Sequence, residues 1–195
     1  MIIIDDALPK TVFNHMVGLV TDFESFPYYF IPSTAYESDD RNKMDYSYYH
    51  NFMFNGNANS NLSSYFLSAV HSCIDLIEHN LDHVERIRLG MILCSNQEYT
   101  NEPHVDTFVP HKTGLLYLND SDGDTIFYDK KYDSNSLVSP IEWGRSQELH
   151  EVERISPKAN RLVIFDGLTY HASSKPIDTQ YRLVLNFNFM EKNNG

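Results

Sequence analysis

The chain has 195 residues, 42% of them hydrophobic and 22% charged, so it can bury a core and is not disordered by composition. Its formal net charge is −12 and its basic residues do not cluster apart from the pair Lys130-Lys131, which argues against nucleic acid as a partner. No stretch approaches the ~18 apolar residues of a membrane span, and the N-terminus lacks the basic and apolar regions of a signal peptide.

Length and the lack of internal repeats predict one domain over 1–195, and the 13% of aromatic residues tilts the expectation toward strands. In chain order, Ile2-Ile3-Ile4 reads as a short buried strand. Asp5-Asp6 then serve as caps for a helix with Pro9 in its first turn and with Val12, Phe13, Met16, Val17 and Val20 on one face. Residues 26–33, aromatic and broken by two prolines, read as an irregular segment over the core or near a site mouth. Asp39-Asp40-Arg41-Asn42 and Asn55-Gly56-Asn57 are turn signals around a strand at Tyr46–Phe52. Leu62, Phe66, Ala69, Val70, Cys73, Ile77 and Leu81 recur at helical spacing, with Asn61 as the expected cap. Residues 1–83 are thus expected to form a helical and irregular support.

From residue 84 the character changes. Short β-like runs alternate with turns at 84–95, 103–109, 113–119, 124–128, 150–156, 160–165, 168–174 and 180–190, the pattern of a sandwich or barrel. Asp122-Gly123 and Asn160 sit where tight turns are needed. Residues 129–149, with the only tryptophan, Trp143, form a longer insertion of the kind that often acts as a lid. Cys73 and Cys94 are expected to be buried free thiols, consistent with a reducing, cytoplasmic location.

Three separated elements carry chemistry. In a strand His104 and Asp106 point to one face and offer an imidazole nitrogen and a carboxylate oxygen to the same metal. Alone, such a pair is more often a solvated face. His171 lies in a second strand. Arg182 stands among apolar residues in a third, where its charge needs a buried anionic partner, either a protein carboxylate or an incoming dicarboxylate. Jointly, two imidazoles and one carboxylate form the facial triad of non-haem Fe(II) oxygenases, with positions left open for a 2-oxo acid and O2. An arginine at the right depth binds the distal carboxylate of such an acid bidentately. His83-Val84-Glu85 and His71-Ser72-Cys73 are weaker candidates, the first a solvated helix end and the second divergent on a helix.

The segments EPHVDT, GLLYLNDSDGDTIFYD, RISPKANRLVIFDGLTYHASSKP and YRLVLNFNF together resemble the 2-oxoglutarate/Fe(II) dioxygenases, in particular their prolyl-4-hydroxylase-like branch, over residues 84–190. The resemblance implies a mainly β fold with flanking helices, a double-stranded β-helix or jelly roll. It implies metal ligation by His104, Asp106 and His171 and anchoring of 2-oxoglutarate by Arg182. The family's tyrosine in the strand before the motif is replaced by Cys94 and Ser95. Tyr117 and Tyr99 are therefore the candidate cosubstrate contacts, Tyr117 with the ordinary reading of a core aromatic beside it. The implied reaction couples decarboxylation of 2-oxoglutarate, giving succinate and CO2, to hydroxylation of a prolyl side chain in a protein or of a small molecule. The sequence leaves oligomeric state open. Two other classes stay in view: a cupin-like metal enzyme without 2-oxoglutarate, and a non-catalytic β-sandwich binding module.

Overall fold

Period-two patterning over long strands organises the molecule. The structure, a computed structural model, describes residues 1–33 and 46–192. In chain order its elements are β1 (Ile2–Ile4), α1 (Lys10–Val20), β2 (Tyr29–Ile31), β3 (Ser47–Phe54), β4 (Asn57–Ala58), α2 (Ser63–Ile74) and β5 (Leu81–Leu93). There follow β6 (Lys112–Tyr117), β7 (Thr125–Lys131), α3 (Pro140–Ser146), β8 (Glu151–Ile155), β9 (Leu162–Asp166), β10 (Thr169–Ser173) and β11 (Tyr181–Glu191). The large sheet runs β1-β9-β6-β11-β5-β3-β2, with β4 paired to β3, and the small sheet runs β10-β7-β8. All the pairings are antiparallel. Flanked by helices on one side and by the small sheet on the other, this is a jelly roll, the double-stranded β-helix.

The alternation along β11 decides which chemistry faces where. Leu183, Leu185, Phe187 and Phe189 are fully buried and join the core that the large sheet shares with α1 and α2. Residues of opposite parity, Arg182, Val184, Asn186 and Asn188, face the small sheet, because successive side chains leave opposite faces of a strand. Strand β5 is paired to β11 with Arg88 opposite Asn186 and Ile92 opposite Arg182, so it repeats the division. Ile87 and Leu89 enter the helix-side core, while Arg86, Arg88, Gly90 and Ile92 line a cavity between the sheets. A second apolar cluster, including Leu115, Phe127, Val163, Phe165 and Val184, closes the inter-sheet space beside that cavity.

Several local expectations are corrected. The strand at Ile2–Ile4 forms, but at the sheet edge, with Ile2 and Ile3 exposed. Asp5 does not cap α1. Its carboxylate pairs with Lys158 and Arg161, Asp6 takes a positive φ, and Pro9 precedes the first helical turn. Residues 26–33 contain an edge strand, β2, held by β3. Asn61 is not the cap of α2, which ends at Ile74. Leu81 belongs to β5, although Leu62, Ile77 and Leu81 do pack on the same core. The run 103–109 is no strand: only His104 is bridged. Cys94 is exposed, whereas Cys73 is buried, and both are free. The insertion at 129–149 holds a helix, α3, opened by a capping box between Ser139 and Glu142 with Pro140 in its first turn. The turn expected at Asp39-Asp40-Arg41-Asn42 lies outside the described residues. Those at Asn55-Gly56 and Asn160 adopt the positive φ that their residue types tolerate.

Candidate active site

His104 and His171 are joined by their backbones before their side chains meet. Each donates its N–H to the other's carbonyl, at 2.9 and 3.0 Å, so the loop carrying the first histidine is stitched to β10, which carries the second. Their ring centroids lie 4.8 Å apart. Nδ1 of His104 bonds the Glu102 carbonyl and Nδ1 of His171 the Thr169 carbonyl. A carbonyl only accepts, so both Nδ1 atoms carry the proton and both Nε2 atoms keep a lone pair. Burial disfavours the imidazolium of His104, and that of His171 too, where His104 adds repulsion and brings the pKa down to about 4. Both rings are therefore neutral ligands at neutral pH.

Asp106 completes the group. Ligand atoms of His104, Asp106 and His171 all lie within 4.8 Å of one another. The Asp106 side chain is only 5% exposed, and burial alone would push its carboxyl pKa up. Arg86, with an ion pair of 2.7 Å to Oδ1, and the two histidines more than offset this and hold it well below the ordinary value. The amide of Asn188 donates to Oδ2 at 2.9 Å and that of Asn186 at 3.2 Å. Thr113 reaches the same oxygen at 3.4 Å. These donors fix the carboxylate's direction and charge, which is what a metal ligand requires of its surroundings.

Arg182 is buried at 4% exposure. Among the described residues no carboxylate pairs with it. One guanidinium nitrogen donates to Thr125 Oγ1 at 2.7 Å, and Nε is buried without a partner. The same hydroxyl lies 2.7 Å from the Tyr117 hydroxyl, and the guanidinium sits over the Tyr117 ring. Desolvation lowers the Arg182 pKa without bringing an arginine near neutrality. Arg182, Thr125, His104, Asp106 and His171 all line the one cavity between the sheets.

Tyr117 and Tyr99 are placed differently. Tyr117 is fully buried in the inter-sheet cluster and does not line the cavity; it meets Arg182 with its ring and through Thr125. Tyr99 does not line the cavity, and its carbonyl accepts from the Lys175 backbone. The weaker candidates lie elsewhere: His83 bridges Asp82 and Glu85 at the surface, and His71 is exposed while Cys73 is buried. Sequence reasoning passed over Arg86, Arg88, Thr125, Asn186 and Asn188. Parity was the available signal, since Asn186 and Asn188 share a strand face with Arg182, as Arg88 does with Arg86.

No protein-family model matches the sequence, and no curated protein matches it. Solved structures do. One is an oxidoreductase of the 2OG-Fe(II) oxygenase family from Burkholderia pseudomallei, with a TM-score of 0.68 and 10% identity over 98% of this chain and 85% of that one. The chain has the 2OG-Fe(II) oxygenase fold. A Pseudomonas putida prolyl-4-hydroxylase shares this fold at a TM-score of 0.57 and 16% identity, over 98% of this chain and 92% of that one. So does the non-heme alpha-ketoglutarate-dependent carbocyclase SnoK of nogalamycin biosynthesis, at 0.62 and 12%, over 97% and 79%. In the 2OG oxygenase fold seen here, the cavity between the sheets gathers the two histidines and the aspartate at one point and Arg182 at another.

Proposed function

We propose that this protein is a 2-oxoglutarate- and Fe(II)-dependent dioxygenase that hydroxylates a C–H bond, releasing succinate and CO2. The observation that carries the reading is a His104–Asp106–His171 cluster in the same cavity as a buried arginine that, among the described residues, has no carboxylate partner. The donor set fits a ferrous ion: two neutral imidazoles that can each offer an Nε2 lone pair, and one ionised carboxylate. Bound there, Fe(II) with 2-oxoglutarate and O2 supplies the oxidising power that an unactivated C–H bond demands.

The chain's own residues bind, orient and exclude. Arg182 and Thr125 hold the distal carboxylate of 2-oxoglutarate, which gives the buried guanidinium the anionic partner that no carboxylate among the described residues supplies. Tyr117 keeps the Thr125 hydroxyl and the Arg182 guanidinium in place. Arg86, Asn186 and Asn188 keep Asp106 ionised and aimed. Phe165 and Phe127 flank His171 and exclude water from that side. As substrate we propose a prolyl side chain or a small molecule. Among proteins of this fold are a prolyl-4-hydroxylase and an enzyme of nogalamycin biosynthesis, and a net charge of −12 disfavours nucleic acid. A reducing, cytoplasmic location is part of the proposal, since both cysteines are free.

Anaerobic titration with Fe(II) and 2-oxoglutarate tests the reading. The wild-type protein should develop the weak visible charge-transfer band of the chelate. Arg182→Ala should weaken 2-oxoglutarate binding by about 10–100-fold and spare metal affinity, as loss of a charged hydrogen bond predicts. A protein that binds neither, or a variant that binds both as well as wild type, ends the proposal.

A further inference from the structure

The cavity holds more positive charge than a ferrous site and its cosubstrate account for. Among the described residues three arginines line it, Arg86, Arg88 and Arg182, against the single carboxylate of Asp106. Arg86 is committed to that carboxylate, and Arg182 is the anchor proposed for 2-oxoglutarate. Arg88 has neither employment. Among the described residues it pairs with no carboxylate and donates no hydrogen bond to protein. Its guanidinium stacks 4.5 Å from the centre of the Tyr49 ring. Burial, then the charge of Arg86, lowers its pKa to about 10, so it stays protonated at neutral pH.

Its position separates it from the cosubstrate. Ile92 stands opposite Arg182 and Arg88 opposite Asn186, so the two levels are four residue steps apart on β5, or about 13 Å along the strand. Between them on the same face is Gly90, whose missing side chain leaves the cavity floor open beside Val184. Asn186, the neighbour of Arg88 across the strands, bonds the metal-ligand carboxylate of Asp106, so a second ligand that meets the Arg88 guanidinium stands beside the metal cluster and away from the Arg182 end of the cavity. The Tyr49 ring backs that guanidinium, whose intrinsically planar fork presents two parallel N–H donors. One such fork matches one carboxylate; a phosphate ordinarily recruits further donors.

We propose that Arg88 is the specificity-determining residue of the primary-substrate subsite and that it selects a small molecule bearing a carboxylate. This rests on the oxygenase reading above and deepens it by naming the substrate class. In a chain of net charge −12, a cavity lined by arginines also concentrates such an anion locally.

The test uses the anaerobic protein loaded with Fe(II) and 2-oxoglutarate. The probes are the free amino acids and a series of short monocarboxylic acids, each beside its carboxamide, with binding read from the perturbation of the charge-transfer band. At least one acid should bind, and its amide should bind about tenfold or more weakly. Arg88→Gln should abolish the preference for acid over amide and leave 2-oxoglutarate affinity unchanged, while Arg88→Lys should recover part of the preference. The inference is overturned if no acid binds, if acid and amide bind alike, if Arg88→Gln keeps the preference, or if that variant also loses 2-oxoglutarate. The acid–amide comparison on the unaltered protein decides the matter even where the Gln variant does not fold. Failure of the wild-type protein to form the Fe(II)/2-oxoglutarate chelate is a separate result, and it sinks the oxygenase reading itself.

Discussion

Asp106 is the most heavily partnered side chain of the site. Arg86 takes one of its oxygens while Asn188, Asn186 and Thr113 converge on the other. Removing one partner of a buried ion pair strands the other charge. Arg86→Leu should therefore cost about 3–5 kcal/mol in urea unfolding. A divalent metal neutralises the same carboxylate, so added metal should restore part of that loss, and a loss unmoved by metal would place Asp106 outside the metal site. Asn188→Ala acts more gently. It removes a donor that aims the carboxylate, and metal affinity measured by titration should fall about 10–100-fold with little change in fold.

Among the elements, α3 matters through what it rests on. Trp143 stacks on Tyr170 at 5.4 Å, with rings 14° apart, and Tyr170 immediately precedes His171 in β10. The Tyr170 hydroxyl donates to the Pro140 carbonyl, and Arg145 of α3 grips Glu102, whose carbonyl holds His104. The helix thus braces both histidine-bearing segments. As the only tryptophan, Trp143 should report metal binding by a change in fluorescence, and Trp143→Phe should abolish the signal while leaving metal affinity intact. The loop before β11 has its own brace. Asp122 accepts backbone N–H groups of Ile177, Asp178 and Thr179, as well as the Thr179 hydroxyl. Partial desolvation raises its pKa, but these bonds outweigh that and hold it well below the ordinary value. The unfolded chain then binds the proton more readily. The contribution to stability is present above about pH 4 and is lost as pH falls through the folded-state value. Asp122→Ala should lower Tm at neutral pH by a few degrees, and the gap to wild type should close on acidification. A gap independent of pH would mean the loss is steric.

At the scale of the whole molecule, much of the fold was written locally. Short β-like runs between turn residues marked most strands, because strands packed between two layers bury both faces and leave near-continuous apolar runs. The helix of residues 63–74 was legible at period 3.6. The S-x-x-E signature with proline at Ser139–Glu142 also announced α3, but read as an insertion it was missed. The sequence alone also singled out His104, Asp106, His171 and Arg182, since their residue types and order pointed to one metal and one diacid. Tertiary structure alone decided the rest. Which acid pairs with which arginine depends on strands far apart in the chain coming into register, so Arg86 meets Asp106 and Arg88 is left facing the cavity. Caps and edges went the same way: Asp5 was drawn from α1 to Lys158 and Arg161, and β1 became an exposed edge, because a residue's partner is set by what packs beside it. A pattern along the chain records which face is buried, but only the packed sheets determine which charges are answered there.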